Sequence, residues 1–334
     1  MVIAFQTAEA EAAIETELHK IFQSRDLALY DMMSYHMGWE SGSIEFSDPI
    51  PGSRIHGVAC LTACAAAGGD ILACLPAAAA VELVHGFTQI HDDVQSGNPQ
   101  RVNRDAVWWK WGPAQAINAG DGMHALARIA LFRLNDLGVA PATTFRAVQI
   151  LDQASLTLCE GRFRDLEIQE RIDLSVDAYI EMASDKTGAL YAGAMKLGAL
   201  VAGADEELVA SFGQFGSKIG LARQIQDDLN ELWGDQEASP EVLNKKKLLP
   251  VVYTVQEADI SVKRRMGDIY FKRVLEPSDV ASLRVLLEET GGKKFAEDTV
   301  ENLRVDALAS LDQMQLVRAS RDMLQDLASA ILSK

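Results

Sequence analysis

"ACLTACAAAGGDILACLPAAAAVELVHGFTQIHDD", residues 59–93, is the stretch of sequence that decides the fold. Alanine and leucine dominate it, and both residues favour helix. The Gly-Gly-Asp at residues 68–70 breaks it, so the pattern predicts two helices, the second from about Leu72 to Asp93. That second helix ends in two adjacent carboxylates, Asp92 and Asp93. Paired acids at the end of an apolar helix are typical either of a solvated helix end or of a cation site.

The remainder of the chain follows the same helical pattern. It has 334 residues, of which 48% are apolar and only 9 are proline. Strand-like alternation, low-complexity linkers and long repeats are not found. We therefore predict one all-α domain over residues 1–334, in which residues 1–48 form an N-terminal helical extension of open role. Residues 112–134 predict a pair of helices interrupted around Gly120 and Gly122.

The composition also limits the function classes. A formal charge of −17 argues against binding to nucleic acid or to anionic membrane surfaces. Apolar runs are interrupted by polar residues, so we expect no transmembrane segment. The acidic N-terminus lacks the basic start of a signal peptide, which predicts a cytoplasmic protein. The four cysteines contain no C-x-x-C pair, which argues against a zinc site.

A second pair of acids, Asp227 and Asp228, lies in another helical stretch, and Glu231 follows one turn later. Carboxylates that converge without thiols or several histidines favour a hard divalent ion, above all Mg²⁺. Mg²⁺ held by few carboxylates usually bridges to phosphate oxygens of a substrate. The basic side chains that could complete such a phosphate site are Arg101, Lys186, Arg223 and Lys246.

Six stretches together resemble the trans-isoprenyl diphosphate synthase (polyprenyl synthetase) family. They are "ACLTACAAAGGD" (59–70), "ELVHGFTQIHDD" (82–93), "QAINAGDGMHALA" (115–127), "DKTGALYAGAMKLGAL" (185–200), "GLARQIQDDLNELWGD" (220–235) and "KKLLPVVY" (246–253). The resemblance covers the chain from about residue 51 to its end. It implies an isoprenoid-synthase-type helical bundle around a deep central apolar pocket, usually a homodimer. It also implies a Mg²⁺-dependent enzyme that ionises an allylic prenyl diphosphate.

The resemblance carries roles over to individual residues. It implies the metal ligands Asp92, Asp93, Asp227, Asp228 and Glu231. It implies that diphosphate is bound by Arg101, Lys186, Thr187, Gln224, Lys246, His85 and Arg54. The catalytic roles fall on Asp92, Asp93, Asp227, Lys186 and Arg101.

The first acid motif departs from the family pattern at its end. Ser96 stands where the family has a closing aspartate, and Asn98 stands where longer versions of the motif place it. Either residue offers a neutral oxygen in place of a charge, so we expect weaker Mg²⁺ binding at this motif.

The family's site for isopentenyl diphosphate, the usual acceptor, departs further. Ser53 replaces a lysine, His56 replaces an arginine, and Val102 replaces the second arginine after the first motif. His85 is kept, and Arg54 is a substitute cation. At about 1.5–3 kcal/mol for each hydrogen bond to a charged group, these losses predict much weaker acceptor binding or a different acceptor.

The resemblance also bears on the substrate pocket. Val84, Phe87 and Thr88 precede Asp92 on its helix, and a bulky residue near Phe87 limits chain length in the family. It therefore implies a short to medium prenyl chain, with core packing as the alternative role of Phe87. The tryptophans of "VWWKWG" (107–112) are either packing residues or an apolar contact surface.

These features lead to one main hypothesis and two alternatives. The main hypothesis is a prenyltransferase of isoprenoid biosynthesis, whose acceptor, product length and stereochemistry stay open. The first alternative is a terpene cyclase or an allylic diphosphate hydrolase that uses the same ionisation. The second is a non-catalytic subunit that regulates a prenyl synthase. His91, beside the first acid pair, is either a proton acceptor or a packing residue.

Overall fold

The computed structural model describes residues 7–39, 54–171, 174–234 and 239–333, and these residues are helical almost throughout. The helices are α1 (Thr7–Phe22), α2 (Ala28–His36), α3 (Ile55–Ala66), α4 (Ile71–Ser96), α5 (Val107–Trp111), α6 (Pro113–Phe132), α7 (Pro141–Glu170), α8 (Val176–Ala183), α9 (Ala189–Val201), α10 (Glu206–Trp233), α11 (Pro240–Leu243), α12 (Leu249–Glu257), α13 (Ile260–Tyr270), α14 (Pro277–Glu289), α15 (Gly292–Ser310) and α16 (Arg318–Leu332). A π-helical turn, Ser184–Gly188, joins α8 to α9. Strands β1 (Gln100–Arg101) and β2 (Arg104–Asp105) form a small hairpin. The prediction of an all-α fold is confirmed.

The chain divides into two compact units that alternate along the sequence. The first comprises Met1–Gln153, Gly193–Gly213 and Leu316–Leu327. The second comprises Ala154–Ala192, Gln214–Gln315 and Ala328–Lys334. Asp92 and Asp93 belong to the first unit, and Asp227 and Asp228 to the second.

Helix α4 is the centre of the first unit, packed between α3 and α6. Its residues 77–80 are four consecutive alanines without solvent exposure. The Asp70 carboxylate accepts from the backbone N–H of Leu72 at 3.0 Å and caps the start of the helix. Gly97 ends it with a φ of +66°, a left-handed conformation that glycine adopts without strain. The predicted break at residues 68–70 and the predicted helix up to the acids are both confirmed.

Helix α6 differs from the prediction because it is one continuous helix rather than a pair. Its glycine at 120 lies where α4 comes close. A Cβ on Gly120 would lie 2.3 Å from the His91 ring, so this glycine is explained by helix packing rather than by a turn. Glycine inside a helix costs about 1 kcal/mol, and here close packing offsets that cost.

The described part of the N-terminal extension, residues 7–39, packs on the helices of the first unit. Helix α1 contacts α3 and α4, and α2 contacts α5 and α6. Ile14 and Leu18 of α1 are fully buried. Glu17 of the same helix binds Arg133 at 2.7 Å.

One described helix, Ile71–Ser96, is long and apolar enough to cross a membrane by length and composition. This does not contradict the expectation of no transmembrane segment, because a buried core helix passes the same test. Within the protein, 72% of the most apolar part of this helix is buried against other helices, as in a core helix.

The second unit has two apolar clusters. One lies among α7, α8, α10, α12 and α15 and includes Tyr179, Met182, Ile225, Leu249 and Ala296. The other lies where α12, α13 and α14 meet the end of α10, and it includes Leu232, Val251, Met266, Val280 and Leu283. These clusters fix the C-terminal half of α10, which carries the second acid pair.

Candidate active site

The first acid pair lies in the last turn of α4, and its two members differ in exposure. The Asp92 side chain is 31% exposed, whereas Asp93 is 1% exposed. Arg101 donates to Asp93 through Nε at 2.9 Å and through a terminal nitrogen at 2.8 Å. Such a two-pronged pair is strong and geometrically specific. Asp93 is therefore held by Arg101, while Asp92 is accessible to a ligand.

Arg101 reaches Asp93 because the loop after α4 folds back as the β1–β2 hairpin. Arg101 pairs with Arg104 across a two-residue turn. Both turn residues, Val102 and Asn103, have positive φ, at 49° and 58°. This is the conformation typical of the tight turns that join two strands. The sequence analysis missed the hairpin, because two strands of two residues give no alternation to detect.

Ser96 and Asn98, at the end of the first motif, each have a local hydrogen bond. The Ser96 hydroxyl donates to the backbone carbonyl of Asp92 at 2.8 Å. The backbone carbonyl of Asn98, not its side chain, accepts from the indole of Trp108 at 2.6 Å. Trp108 therefore anchors the loop after the motif, and the Trp111 ring packs edge-on against Tyr35 at 5.0 Å. These two contacts are packing roles, whereas Trp109 is largely exposed.

Arg54 lies at the start of α3 in an enclosed position, 6% exposed. It forms a 2.6 Å ion pair with Glu15 and donates to the Met37 carbonyl at 2.8 Å. The predicted diphosphate ligand is thus already engaged with the N-terminal helices. Ser53, the first of the predicted acceptor-site losses, lies outside the described residues.

His56 and His85 lie together, with ring centroids 4.2 Å apart. The nearby Glu82 accepts from the backbone N–H of Gly57 at 2.6 Å and so caps the start of α3 from another helix. Burial raises the pKa of Glu82 to about 7, against the opposing effect of Arg54. The sequence analysis did not single out Glu82, because its role depends on the packing of α4 against α3.

The predicted pocket residues are buried on α4. Val84 is fully buried, Thr88 donates its hydroxyl to the carbonyl of His85 at 2.7 Å, and Phe87 is almost enclosed. The Phe87 ring contacts the rings of His91 and His124, at 4.9 and 5.0 Å. Phe87 thus faces α6, and the limit that it places on chain length stays a prediction.

His91 is turned towards α6 as well. Its Nε2 lies 3.2 Å from the carbonyl of Ile117 and 3.7 Å from a carboxylate oxygen of Asp121. These contacts favour the packing role over the role of proton acceptor.

In the second acid pair, as in the first, one carboxylate is exposed and the other is buried. The Asp227 side chain is 41% exposed and forms an ion pair with Arg223, at 2.5 Å. Asp228 is 2% exposed and accepts from the hydroxyl of Tyr179, from the backbone N–H of Leu249 and from the amide of Gln224. Burial raises the pKa of Asp228 to about 6, and these hydrogen bonds act against that rise. Asp228 is thus bonded to the protein while Asp227 is accessible, and the predicted role of both as metal ligands stays a prediction.

Thr187, Gln224 and Asp228 form a chain of hydrogen bonds. The Thr187 hydroxyl donates to Gln224 Oε1 at 2.6 Å, and Gln224 Nε2 donates to Asp228 at 3.1 Å. The structure therefore brings together two predicted diphosphate-binding residues, Thr187 and Gln224, and one predicted metal ligand, Asp228.

Lys186 lies in the π-helical turn and pairs with Asp165 of α7. Their side chains are 2.6 Å apart and only 9% and 13% exposed. Gly161, one turn before Asp165, permits this arrangement, since a Cβ there would lie 2.2 Å from the backbone nitrogen of Lys186. Asp165 and Gly161 were missed by the sequence analysis. The one feature of the sequence that could have indicated them is that Gly161 and Asp165 lie one helical turn apart in α7.

The last two predicted residues lie near the end of α10. Lys246 forms a 2.6 Å ion pair with Glu241. Burial raises the pKa of Glu231, against the hydrogen bond from Ser239. Glu231 thus has a protein partner in addition to its predicted role as a metal ligand.

In the first unit Asp92 offers an accessible carboxylate beside Arg101, and in the second unit Asp227 offers one beside Arg223. Within the residues that the structure describes, no three His, Cys, Asp or Glu side chains close on a single metal position. The metal-binding roles of these acids stay a prediction, and an ion at either acid would need further oxygens from a ligand or from water.

Comparison with known proteins identifies the kind of protein that carries this arrangement. Residues 45–287 match the model of the polyprenyl synthetase family. The chain belongs to the polyprenyl synthetase family. A geranylgeranyl diphosphate synthase of Mycobacterium tuberculosis is 34% identical over 88% of this chain and 84% of its own. A (2E,6E)-farnesyl diphosphate synthase of Mycobacterium bovis is 30% identical over 97% and 91%.

Solved structures give the same result for the fold. The crystal structure of a polyprenyl synthetase from Streptomyces coelicolor superposes with a TM-score of 0.88, at 29% identity, and covers 97% of both chains. The resemblance inferred from the motifs is therefore confirmed, as is the isoprenyl-synthase-type helical fold. As a polyprenyl synthetase, the chain is a transferase of prenyl groups.

Proposed function

We propose that this polyprenyl synthetase transfers the prenyl group of an allylic diphosphate to isopentenyl diphosphate in a Mg²⁺-dependent reaction. The observation that carries the proposal is that the two carboxylates of each acid pair differ in exposure in the same way. In each pair one carboxylate is accessible, and the other is buried and fully bonded to the protein. Within each unit, such a pair presents one carboxylate, Asp92 or Asp227, to a ligand from a rigid support.

The donor set fits Mg²⁺. Asp92, Asp227 and Glu231 offer carboxylate oxygens, which are the ligands that this ion prefers. The ion usually takes the rest of its ligands from phosphate and water, which agrees with the lack of a closed three-residue cluster among the described side chains. When bound, Mg²⁺ neutralises negative charge that develops on a leaving diphosphate.

The protein's own groups supply the rest of the reaction. Arg101 and Lys186 donate to phosphate oxygens as the allylic C–O bond breaks and its electron pair leaves with diphosphate. The apolar side chains of Val84 and Phe87 keep water from the resulting carbocation. The double bond of the acceptor then attacks this carbon and forms a C–C bond, which leaves a cation on the acceptor. That cation loses a proton to the released diphosphate, and a new double bond forms.

The relatives support a product of short to medium length. They are named as synthases of farnesyl and geranylgeranyl diphosphate. We infer a product in the same range, and Phe87 is the side chain that we expect to limit it.

Product analysis tests the proposal. The purified protein is incubated with Mg²⁺ and geranyl or farnesyl diphosphate, with and without isopentenyl diphosphate, and the products are identified by mass spectrometry. We expect elongated diphosphates only when isopentenyl diphosphate is present. Cyclic or hydrolysed products in its absence would favour the cyclase or hydrolase alternative.

Two variants complete the test. Asp92→Asn and Asp227→Asn remove the accessible charge of each pair, and we expect each to lower turnover at least 100-fold. No turnover by the wild type, combined with capture of a second prenyl synthase, would instead indicate the regulatory subunit.

We also propose that the protein is a homodimer. Helix α7 carries a stripe of large apolar side chains at successive spacings of eleven, seven and three, all exposed: Phe145, Leu156, Phe163 and Leu166. An apolar stripe of this kind is typical of a helix that packs against another chain. Light scattering in solution tests the mass, and a monomer at micromolar concentration would contradict the proposal. The cytoplasmic location stays an expectation from the sequence.

A further inference from the structure

Helix α13 and the turn after it expose large apolar side chains. Phe271, in the turn, is 87% exposed, and Ile260 and Val274 are each more than two-thirds exposed. Phe271 keeps right-handed helical backbone angles. Because residues eleven apart lie on the same side of a helix, Ile260 and Phe271 share one side of α13. We call Ile260, Phe271 and Val274 the apolar tip.

Gly267 shows where the Phe271 ring lies. This glycine is one helical turn before Phe271, and a Cβ on it would meet the ring at 3.4 Å. The ring therefore lies over Gly267, on the side of α13 that is turned away from the core. A large aromatic ring in such a position is placed to contact something outside the chain.

The opposite side of α13 fixes this surface to the second unit. Met266 is buried and packs with Val280 and Leu283 in the second of the two apolar clusters. Val262 and Ile269, on the same side of the helix as Met266, pack against that cluster too. The apolar tip is therefore not a loosely held piece of the core, because the core-facing side of α13 is already filled.

Basic residues surround the apolar tip. Residues 260–274 contain one acid, Asp268, and five basic residues: Lys263, Arg264, Arg265, Lys272 and Arg273. In a chain with a formal charge of −17, this is a local reversal of sign. Clusters of four to eight basic residues on an amphipathic helix are typical of proteins that bind anionic lipid.

These five cations differ in how far acids neutralise them. Two are paired with acids of α14, at 3.3 Å for Arg265 and 2.5 Å for Lys272. The other three form no ion pair with a carboxylate in the described parts of the chain: Lys263, Arg264 and Arg273. Positive charge therefore remains beside the apolar tip after the local ion pairs are counted.

The nearest acids on either side of this segment are bonded to backbone. Asp259 accepts from the N–H groups of Ser261 and Val262 at the start of α13. The Glu276 side chain accepts from the backbone in the capping box that starts α14. The positive ends of these two helices offset part of the charge of the two acids. Asp268 is the one acid within the segment, and it leaves the cations in excess.

A lipid surface suits this combination of groups. Amphipathic helices that lie on a membrane place apolar side chains at the boundary between headgroups and acyl chains, and their cations face the anionic headgroups. The acids elsewhere on the molecule oppose binding only weakly, because salt screens charges beyond about 8 Å at physiological ionic strength.

We propose that α13 and the turn after it dock the protein on an anionic lipid surface. Phe271 and Val274 enter the headgroup region, and Arg264 and Arg273 face the lipid phosphates. The contact is peripheral and confined to one face of the second unit. It is a local exception to the sequence argument that the net charge disfavours anionic membranes, and it does not depend on the proposed reaction.

Vesicle binding tests the proposal. The full chain is mixed with vesicles of phosphatidylcholine, with and without phosphatidylglycerol, and the bound fraction is measured by sedimentation. We expect binding to the vesicles that contain phosphatidylglycerol, and a smaller bound fraction when salt is added. No binding to these vesicles, or equal binding to both kinds, would overturn the proposal.

Single substitutions locate the contact. Phe271→Ser should weaken binding about tenfold or more, because a buried aromatic side chain is lost from the lipid boundary. Arg273→Gln should weaken it about fivefold, the contribution of one cation near an anionic surface. Both side chains are exposed, so urea unfolding and prenyl transfer in solution should match the wild type.

The chain offers a matched control at the start of α16. Val317 and Arg318 are adjacent and exposed, like Arg273 and Val274. The double variant Arg273→Gln/Val274→Ser should lose vesicle binding, whereas Val317→Ser/Arg318→Gln should bind as the wild type does. Equal losses in the two double variants would contradict docking through α13. Self-association without vesicles that Phe271→Ser abolishes would instead show an interface between copies, and would also overturn the proposal.

Discussion

Replacing Gly161 by alanine is expected to damage the second motif without touching a charged residue. The new methyl carbon would lie 2.2 Å from the backbone nitrogen of Lys186, 2.6 Å from the carbonyl carbon of Asp185 and 2.7 Å from Lys186 Cα. All three are backbone atoms, so a change of rotamer cannot relieve the contact. The shortest distance is about 1.2 Å below the 3.4 Å at which ordinary contact begins.

The π-helical turn must therefore move by about 1 Å, and Lys186 moves with it. Overpacking of this kind costs about 1–3 kcal/mol of folding stability. Alanine favours helix over glycine by about 1 kcal/mol, which offsets part of that cost. A misplacement of about 1 Å at a reacting group can lower the rate about 100-fold. We expect Gly161→Ala to be destabilised by about 1–2 kcal/mol and to lose about 100-fold in kcat.

A matched control exists in the same unit. A Cβ on Gly267, also within a helix, would meet only the Phe271 ring, at 3.4 Å. Gly267→Ala should be as stable as the wild type or up to about 1 kcal/mol more stable, with unchanged activity. Urea unfolding and steady-state prenyl transfer measure both effects. Equal unfolding midpoints and equal kcat for the two variants would refute the steric argument at Gly161.

Two further predictions concern the first unit. Val102 has a positive φ, which is strained for a β-branched residue, and its side chain is 65% exposed. Val102→Asn should therefore stabilise the protein by about 1 kcal/mol, seen as a rise in Tm of about 2 °C, and a fall in Tm would show that the side chain makes contacts of its own. The second prediction concerns pH. Because the pKa of Glu82 rises from an ordinary 4.5 to about 7 in the folded state, the unfolded chain releases this proton first as pH rises. The stability contributed by the protonated form is complete below pH 4.5, and about 3 kcal/mol of it is lost as pH rises through 7. In Glu82→Gln this loss should disappear. The free energy of unfolding, plotted against pH from pH 5 to pH 8, should therefore have a different slope in the variant and in the wild type. Equal slopes would contradict the raised pKa of Glu82.

The sequence was informative where local patterns decide structure. The break at residues 68–70 and the end of α4 at Gly97 follow from glycine and capping chemistry, which act within a few residues. The helices that carry the two acid pairs also follow from local pattern, whereas the roles of these acids as metal ligands stay a prediction.

The sequence was less informative where a contact joins distant segments. Gly120 looked like a helix break, because the packing of α4 that explains it is not visible in one segment. The sequence did not indicate a role for Asp165, because that role depends on its ion pair with Lys186 in a separate helical segment. The same holds for Arg54, which looked like a free cation until Glu15 of α1 was found beside it. The predicted approach of Asp92 to Asp227 stays a prediction.

The ion pair of Lys186 with Asp165 has a consequence for the order of ligand binding. If a phosphate oxygen binds the ammonium group of Lys186, the nearly buried carboxylate of Asp165 loses its positive partner. An unpaired buried charge is unfavourable. A divalent cation that arrives with the phosphate restores the balance. The affinities for diphosphate and for the cation should therefore be mutually reinforcing, each increasing the other by the same factor.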